Sequence, residues 1–315
     1  MDPIVLFFLL GMLAHFAKSD LALPDALTDS ISIYLLLAIG LKGGVTLHHA
    51  QVPNLALKIS TVIALGCVVA VLAYMALRLL RFDTINAASI CAHYGSVSVV
   101  TYAVCIDYLA AQAIPVEPYT AMFVALMEPP GIVVGLLLAR LAVRQAGDSA
   151  QKTQSWPALA HEVFLNKGVF LLLGGMAIGA IAGSERLKPF FALYNDLFKG
   201  VLGLFLIGLG MQAARHLAGV LPVGLRLIGF ALVAPPCFGV LGVASGHLLG
   251  LSIGGMTVLG TLAASASYIA APAAMRVALP QANPALGLGA ALGITFPLNI
   301  LFGVPLFAQL AAWLH

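Results

Sequence analysis

His93-Tyr94-Gly95-Ser96-Val97-Ser98, followed by Thr101, is a run of small and polar residues in the middle of an otherwise apolar stretch. Inside a bilayer the backbone must satisfy its own hydrogen bonds, and irregular backbone is tolerated only against protein or a cavity. The run therefore predicts a membrane helix that breaks at Gly95 and exposes the N–H groups of its second half. Ser265-Ala266-Ser267-Tyr268 repeats the theme and is followed by Pro272, which cannot continue a helical ladder. Helix N-termini carry partial positive charge, so two such breaks facing each other would cradle a small oxyanion.

The rest of the chain fits that setting. Of its 315 residues, 61% are hydrophobic and only 9% charged, and the mean hydropathy is +1.04, far outside the composition of soluble domains. Each crossing of a ~30 Å hydrocarbon core takes about 20 residues of helix. An outer-membrane barrel would show short alternating segments, whereas 55–80 is a long, predominantly apolar run without such alternation. Charge clusters and Pro/Gly punctuation place ten spans near 3–17, 28–48, 55–80, 84–108, 118–143, 161–183, 189–215, 223–248, 253–278 and 284–313. The first follows Asp2 rather than a basic region, and is expected to be a short helix rather than a secretory signal. Cys67, Cys91, Cys105 and Cys237 all lie in apolar runs without metal-ligand spacing, as packing residues do. The net charge of +3 is too small to suggest nucleic acid.

Alternating the connections puts Lys18, Arg78, Arg81, Arg144, Lys152, Arg215, Arg226 and Arg276 on one side, against Lys58, Arg186 and Lys188 on the other. The positive-inside rule makes the first side cytoplasmic and leaves both termini outside. The one sizeable polar connection, near 146–160, divides the chain into halves 1–145 and 161–315. These resemble each other: Ile39-Gly40-Leu41 recurs as Ile207-Gly208-Leu209, Pro129 as Pro297 and Gly135 as Gly303, all at an offset of 168 residues. Ser96-Val97-Ser98 recurs as Ser265-Ala266-Ser267 with one residue of shift. Five spans per half invert the second copy relative to the first. The expected fold is thus all-α integral membrane, about ten helices in two inverted five-helix repeats, with helices four and nine interrupted where secondary transporters hold their substrates.

The candidate anion site consists of Gly95, Ser96, Ser98, Thr101, Ser265, Ala266, Ser267 and Tyr268; close helix packing by small residues is the competing reading. Glu128 precedes Pro129 and Pro130 deep in the fifth span, where an acid is costly unless paired, protonated or beside a cavity. It reads as a coupling-cation or proton site, or else as a structural carboxyl. Thr295 and Asn299 offer uncharged oxygens at the corresponding place in the tenth span, which suit a hard cation such as sodium. Lys42 could pair with Glu128, attract an anion or snorkel. His93 could line the path or serve packing. Asp196 and Lys199 stand at helical spacing and are expected to pair. Gln212, in the repeated Ile-Gly-Leu segment, could face the same interface.

Several motifs together resemble the sodium-dependent bicarbonate permeases first described in cyanobacteria. They are Ile39-Gly40-Leu41-Lys42-Gly43-Gly44, Gly210-Met211-Gln212-Ala213, the serines Ser96 and Ser98, Ser265-Ala266-Ser267 with Pro272, and, most specific, Arg276-Val277-Ala278-Leu279-Pro280-Gln281-Ala282-Asn283-Pro284. The resemblance spans nearly the whole chain. It implies a ten-helix inverted-repeat trimer in the bacterial inner membrane, sodium-coupled uptake of bicarbonate, and a PII-like regulatory partner. The chain departs from the family pattern at Tyr268, where the family has an acidic residue, and at Glu128, where it has aspartate. The connection between the halves is also shorter than in cyanobacterial members.

The function expected is a symporter in which sodium drives uptake of bicarbonate or a similarly small oxyanion. Alternatives are a cation-coupled transporter of small organic carboxylates, with the pocket reshaped by Tyr268, and a passive anion channel. His161-Glu162 lacks the second histidine of a zincin helix, and no glycine-rich phosphate loop carries a lysine, so neither an enzyme nor an ATP-driven pump is expected, and no organic cofactor.

Overall fold

The computed structural model describes residues 3–47, 52–145, 165, 167–220 and 224–315. The connection 146–160 and the His161-Glu162 pair lie outside them, as do the first residues of the sixth expected span. The described chain is helical throughout. We number its helices α1 (Pro3–Phe16), α2 (Asp25–Leu47), α3 (Leu55–Leu79), α4 (Thr84–Gly95), α5 (Val99–Ala111), α6 (Thr120–Gln145), α7 (Lys167–Leu187), α8 (Phe198–Val220), α9 (Leu225–Leu248), α10 (Ile253–Ala264), α11 (Ala270–Ala278) and α12 (Pro284–Leu314). Eight candidate spans are long and apolar enough to cross a membrane, with α4 and α5 counted as one, and α1 and α10 are shorter apolar helices. This is a multi-pass, all-α membrane protein.

Helix starts follow local chemistry. Asp83 caps α4 by accepting from the Asn86 N–H at 2.9 Å, Ser252 caps α10 through the Gly255 N–H at 3.2 Å, and Asn283 caps α12 through the Ala285 N–H at 3.0 Å. Each satisfies a donor that the first helical turn leaves free. Pro297 and Pro305 have no N–H, and their rings crowd the carbonyl four residues back. Helix α12 meets this by widening into π turns over Gly289–Thr295 and Asn299–Gly303.

The helices form two packed groups. Helices α1, α2, α7 and α8 make one, with α2 against α7 and α1 against α8. The α2/α7 crossing is backbone on backbone: a Cβ at Gly40 or Gly44 would collide with the Leu172 or Met176 carbonyl, and one at Gly179 with that of Leu41. This is the close approach that small residues at four-residue spacing permit between membrane helices. The remaining helices form the second group, in which α6 packs on α3 and α4 and α9 packs on α10. The first group meets the second mainly through α8 on the π-helical part of α12, and through α2 and α7 on α6.

The seventh expected span began near residue 189, but α8 begins at Phe198. A 3₁₀ turn at Lys188–Phe190 and a π turn at Ala192–Asp196 precede it, so Asp196 and Lys199 do not share a helix. Lys199 instead reaches across to Asp107 on α5, Nζ to Oδ1 2.5 Å. That correction follows from reach: a lysine stem spans the gap between packed helices, and a spacing rule sees only its own helix.

Candidate functional site

The membrane helix starting at Thr84 stops at Gly95 and restarts at Val99. Ser96 and Ser98 are extended, with φ −97° and −104°. Ser98 caps the restarted helix, its Oγ accepting from the Thr101 N–H at 3.1 Å. Helix α10 likewise stops at Ala264, Ser265 is extended, and α11 begins at Ala270. The Ala271 N–H there donates to Ser267 Oγ at 3.2 Å. At 1.5 Å per residue, α4 and α5 are each about 20 Å long, so the first break falls near mid-membrane.

The two breaks are bonded to each other. The Ser267 N–H donates to the His93 carbonyl at 2.8 Å, and His93 Nδ1 lies 2.7 Å from the Ser267 carbonyl. A carbonyl only accepts, so Nδ1 carries the proton. The Ser98 N–H donates to Ser265 Oγ at 3.0 Å, and the Ser98 hydroxyl to the Tyr268 oxygen at 3.2 Å. Tyr268 is pinned from behind by an edge contact with Phe296, ring centroids 5.5 Å apart. Helix α6 crosses directly over the first break. Gly131 lies on the Gly95–Ser96 peptide so closely that no Cβ fits, which brings Glu128, one turn earlier, beside the break.

One cavity gathers these parts. Val97, Ser98 and Glu128 line it from the first break and α6, and Ser267 and Tyr268 from the second break. Ser32, Leu36 and Phe205 close it from the α1/α2/α7/α8 group. Its walls are thus contributed by both helix groups. Glu128 is 4% exposed, and Pro129 and Pro130 after it withhold the N–H groups that the Ala125 and Leu126 carbonyls would otherwise accept from. Among the described residues, Ser96 Oγ, Thr101 Oγ1 and Glu128 Oε2 are buried without a hydrogen-bond partner. Buried oxygens normally find one, and three such orphans around one helix break are what an oxygen-coordinated ion or a bound oxyanion would satisfy.

The other sequence candidates fall elsewhere. Thr295 accepts from Tyr94 at 2.8 Å and donates to the Ala231 carbonyl at 3.1 Å. Asn299 donates to the Ala264 carbonyl at 2.7 Å, at the end of α10. Neither lines the cavity; both tie α12 to its neighbours. Ala266 is buried within the second break. Lys42 lies near the far end of α2, its Nζ 4.2 Å from the centre of the Phe198 ring, and lines a different cavity from Glu128. Gln212 is half-buried on α8 and lines neither cavity. Ser32 and Phe205 were not anticipated: Ser32 is one hydroxyl in an apolar helix, and nothing local marks a phenylalanine as cavity-lining.

The profile of the Na+-dependent bicarbonate transporter superfamily matches residues 3–312, nearly the entire chain. The chain belongs to that family. A search of curated proteins finds no match. Membership identifies it as a membrane transporter. Among the described residues no group of three or more His, Cys, Asp or Glu side chains could hold a metal ion.

Proposed function

We propose that the protein takes up bicarbonate or a similarly small oxyanion with a sodium ion, binding both where the two helix breaks cross. The observation that carries this reading is the cavity shared by Ser98, Ser267, Tyr268 and the buried Glu128, whose Oε2 has no partner among the described residues. Break-end N–H groups and hydroxyls serve the anion, and Glu128 with freed carbonyls serves the cation. Because both helix groups wall the cavity, sliding one group past the other would carry the site between the two faces of the membrane. The inverted repeat of 1–145 on 161–315, the inner-membrane setting with both termini outside, the trimer and a PII-like partner at 146–160 belong to this same reading. They rest on the internal offset, the lysine and arginine distribution and the family resemblance.

Ser96→Ala and Thr101→Val test the anion site cleanly. Each removes a hydroxyl without a hydrogen-bond partner among the described residues, so the melting temperature should hold while half-saturation for labelled bicarbonate in proteoliposomes rises roughly tenfold, the loss of about 1.4 kcal/mol. Unchanged half-saturation in both variants would remove these residues from the site.

A second reading has its own support. Beside its hydroxyls and Glu128, the cavity walls include Leu35, Leu36, Val97, Val100, Phe205 and Ile269, a lining that suits a short organic carboxylate, and Tyr268 supplies a neutral phenol where the family resemblance implies an acid. Competition by formate, acetate, pyruvate and lactate against bicarbonate uptake separates the two readings. Inhibition that strengthens with alkyl size favours the carboxylate, and indifference to the panel favours bicarbonate.

A further inference from the structure

Lys42 stands ten residues beyond Ser32 on α2, about 15 Å along the helix, so its surroundings are separate from the cavity at the breaks. It lines a second cavity with Tyr102, Ile106, Glu117, Thr120 and Phe198. This cavity also lies between the two helix groups, with α2 and α8 on one side and α5, α6 and the 112–119 connection on the other.

The charges there are unevenly matched. Asp107 is taken by Lys199. Glu117 is taken by the start of α10, accepting from the Ser252 N–H at 2.6 Å and its hydroxyl at 2.9 Å. Lys199 repels Lys42 while Asp107 and Asp196 attract it, and among the described residues no carboxylate lies within ion-pair distance of its Nζ. Its close partner among the described residues is the face of Phe198, which attracts a cation without accepting a conventional hydrogen bond. Among the described residues the three N–H donors of this partly buried ammonium thus meet no hydrogen-bond acceptor. Across it the Tyr102 hydroxyl sits 3.4 Å from Thr120 Oγ1, a distance too long for a strong bond, while Thr120 spends its own proton on the Glu117 carbonyl at 3.0 Å. The cavity thus offers one unneutralised cation and one weakly engaged O–H donor, the complement of a small monovalent oxyanion.

We propose that the Lys42 cavity is a second anion-binding site, separate from the helix breaks, where the transported oxyanion pauses between solvent and the crossing. The proposal rests on the transport reading above and deepens it by giving that anion a waiting position farther along the same interface between the helix groups.

Ile106→Cys, in a background with the two incompletely buried cysteines Cys67 and Cys237 replaced by alanine, places a thiol on the cavity wall. Its labelling by a small maleimide is measured in lipid nanodiscs with and without sodium bicarbonate, and uptake is measured with the same protein in proteoliposomes. Bicarbonate should slow labelling; Lys42→Gln should raise the concentration needed roughly tenfold, as loss of a charge-assisted contact does, while Lys42→Arg should restore protection. Adding Glu128→Gln and Ser96→Ala should leave the protection in place. Intact uptake with no protection overturns the Lys42 site and leaves the break site standing, and protection indifferent to Lys42→Gln overturns it equally. Loss of both uptake and protection means that bicarbonate is not the anion, and both readings fall together.

Discussion

Glu128→Gln is expected to abolish sodium-driven accumulation of bicarbonate while leaving the fold intact. Glutamine keeps the volume and one oxygen of glutamate but cannot carry the negative charge. Because the carboxyl is buried with Oε2 unpartnered, no structural hydrogen bond is known to be lost from that oxygen, and melting should change by less than ~1 kcal/mol equivalent. The electrostatic consequence is large. In a water-poor site a cation held by neutral oxygens alone gives up its strongest partner, and loss of about 3 kcal/mol corresponds to a more than hundredfold weaker cation affinity. The measurement is uptake of labelled bicarbonate into proteoliposomes at fixed pH, with and without an inward sodium gradient, for the wild type and the variant. A variant that still concentrates bicarbonate along the sodium gradient would show that Glu128 is a structural carboxyl. Uptake by the wild type that ignores sodium would point to a passive path or another coupling ion.

That expectation depends on how the helix breaks present Glu128, and the breaks were the most legible part of the sequence. Glycine, capping serines and a proline act locally, so Gly95, Ser98 and Pro272 announce an interruption whatever surrounds them. Long apolar runs announce spans for the same reason. What the sequence did not disclose is partner choice across helices. Thr295 and Asn299 read as oxygen donors for a cation, and nothing local in the sequence shows that they also bond across helices to Tyr94, Ala231 and Ala264. Asp196 and Lys199 looked paired by spacing until the turns before α8 separated them and Asp107 came within reach. Ser32 and Phe205 complete the cavity only because α2 and α8 are brought against the breaks, a fact of assembly with no local signature.

Gly131→Ala is the substitution expected to do most harm for its size. A helix normally welcomes alanine over glycine by about 1 kcal/mol, so on α6 alone the change should stabilise. Here the new methyl would land on the carbonyl carbon of Gly95 and the nitrogen of Ser96, backbone atoms that cannot rotate away as a side chain could. Either α6 or the first break must move, and overpacking of this kind costs about 1–3 kcal/mol or more. Movement of the break would also disturb the Ser98–Ser265 and His93–Ser267 bonds, so transport should fall further than stability does. Gly174→Ala serves as the control, since a methyl there meets nothing within 4 Å; it should leave uptake unchanged and melting unchanged or slightly raised. A melting temperature several degrees lower and uptake reduced at least ~10-fold in Gly131→Ala alone would establish that the geometry of the crossing, beyond the identity of its serines, makes the site. Normal uptake in a stable Gly131→Ala protein would mean that α6 does not hold the break in place, and the shared cavity would lose its structural basis.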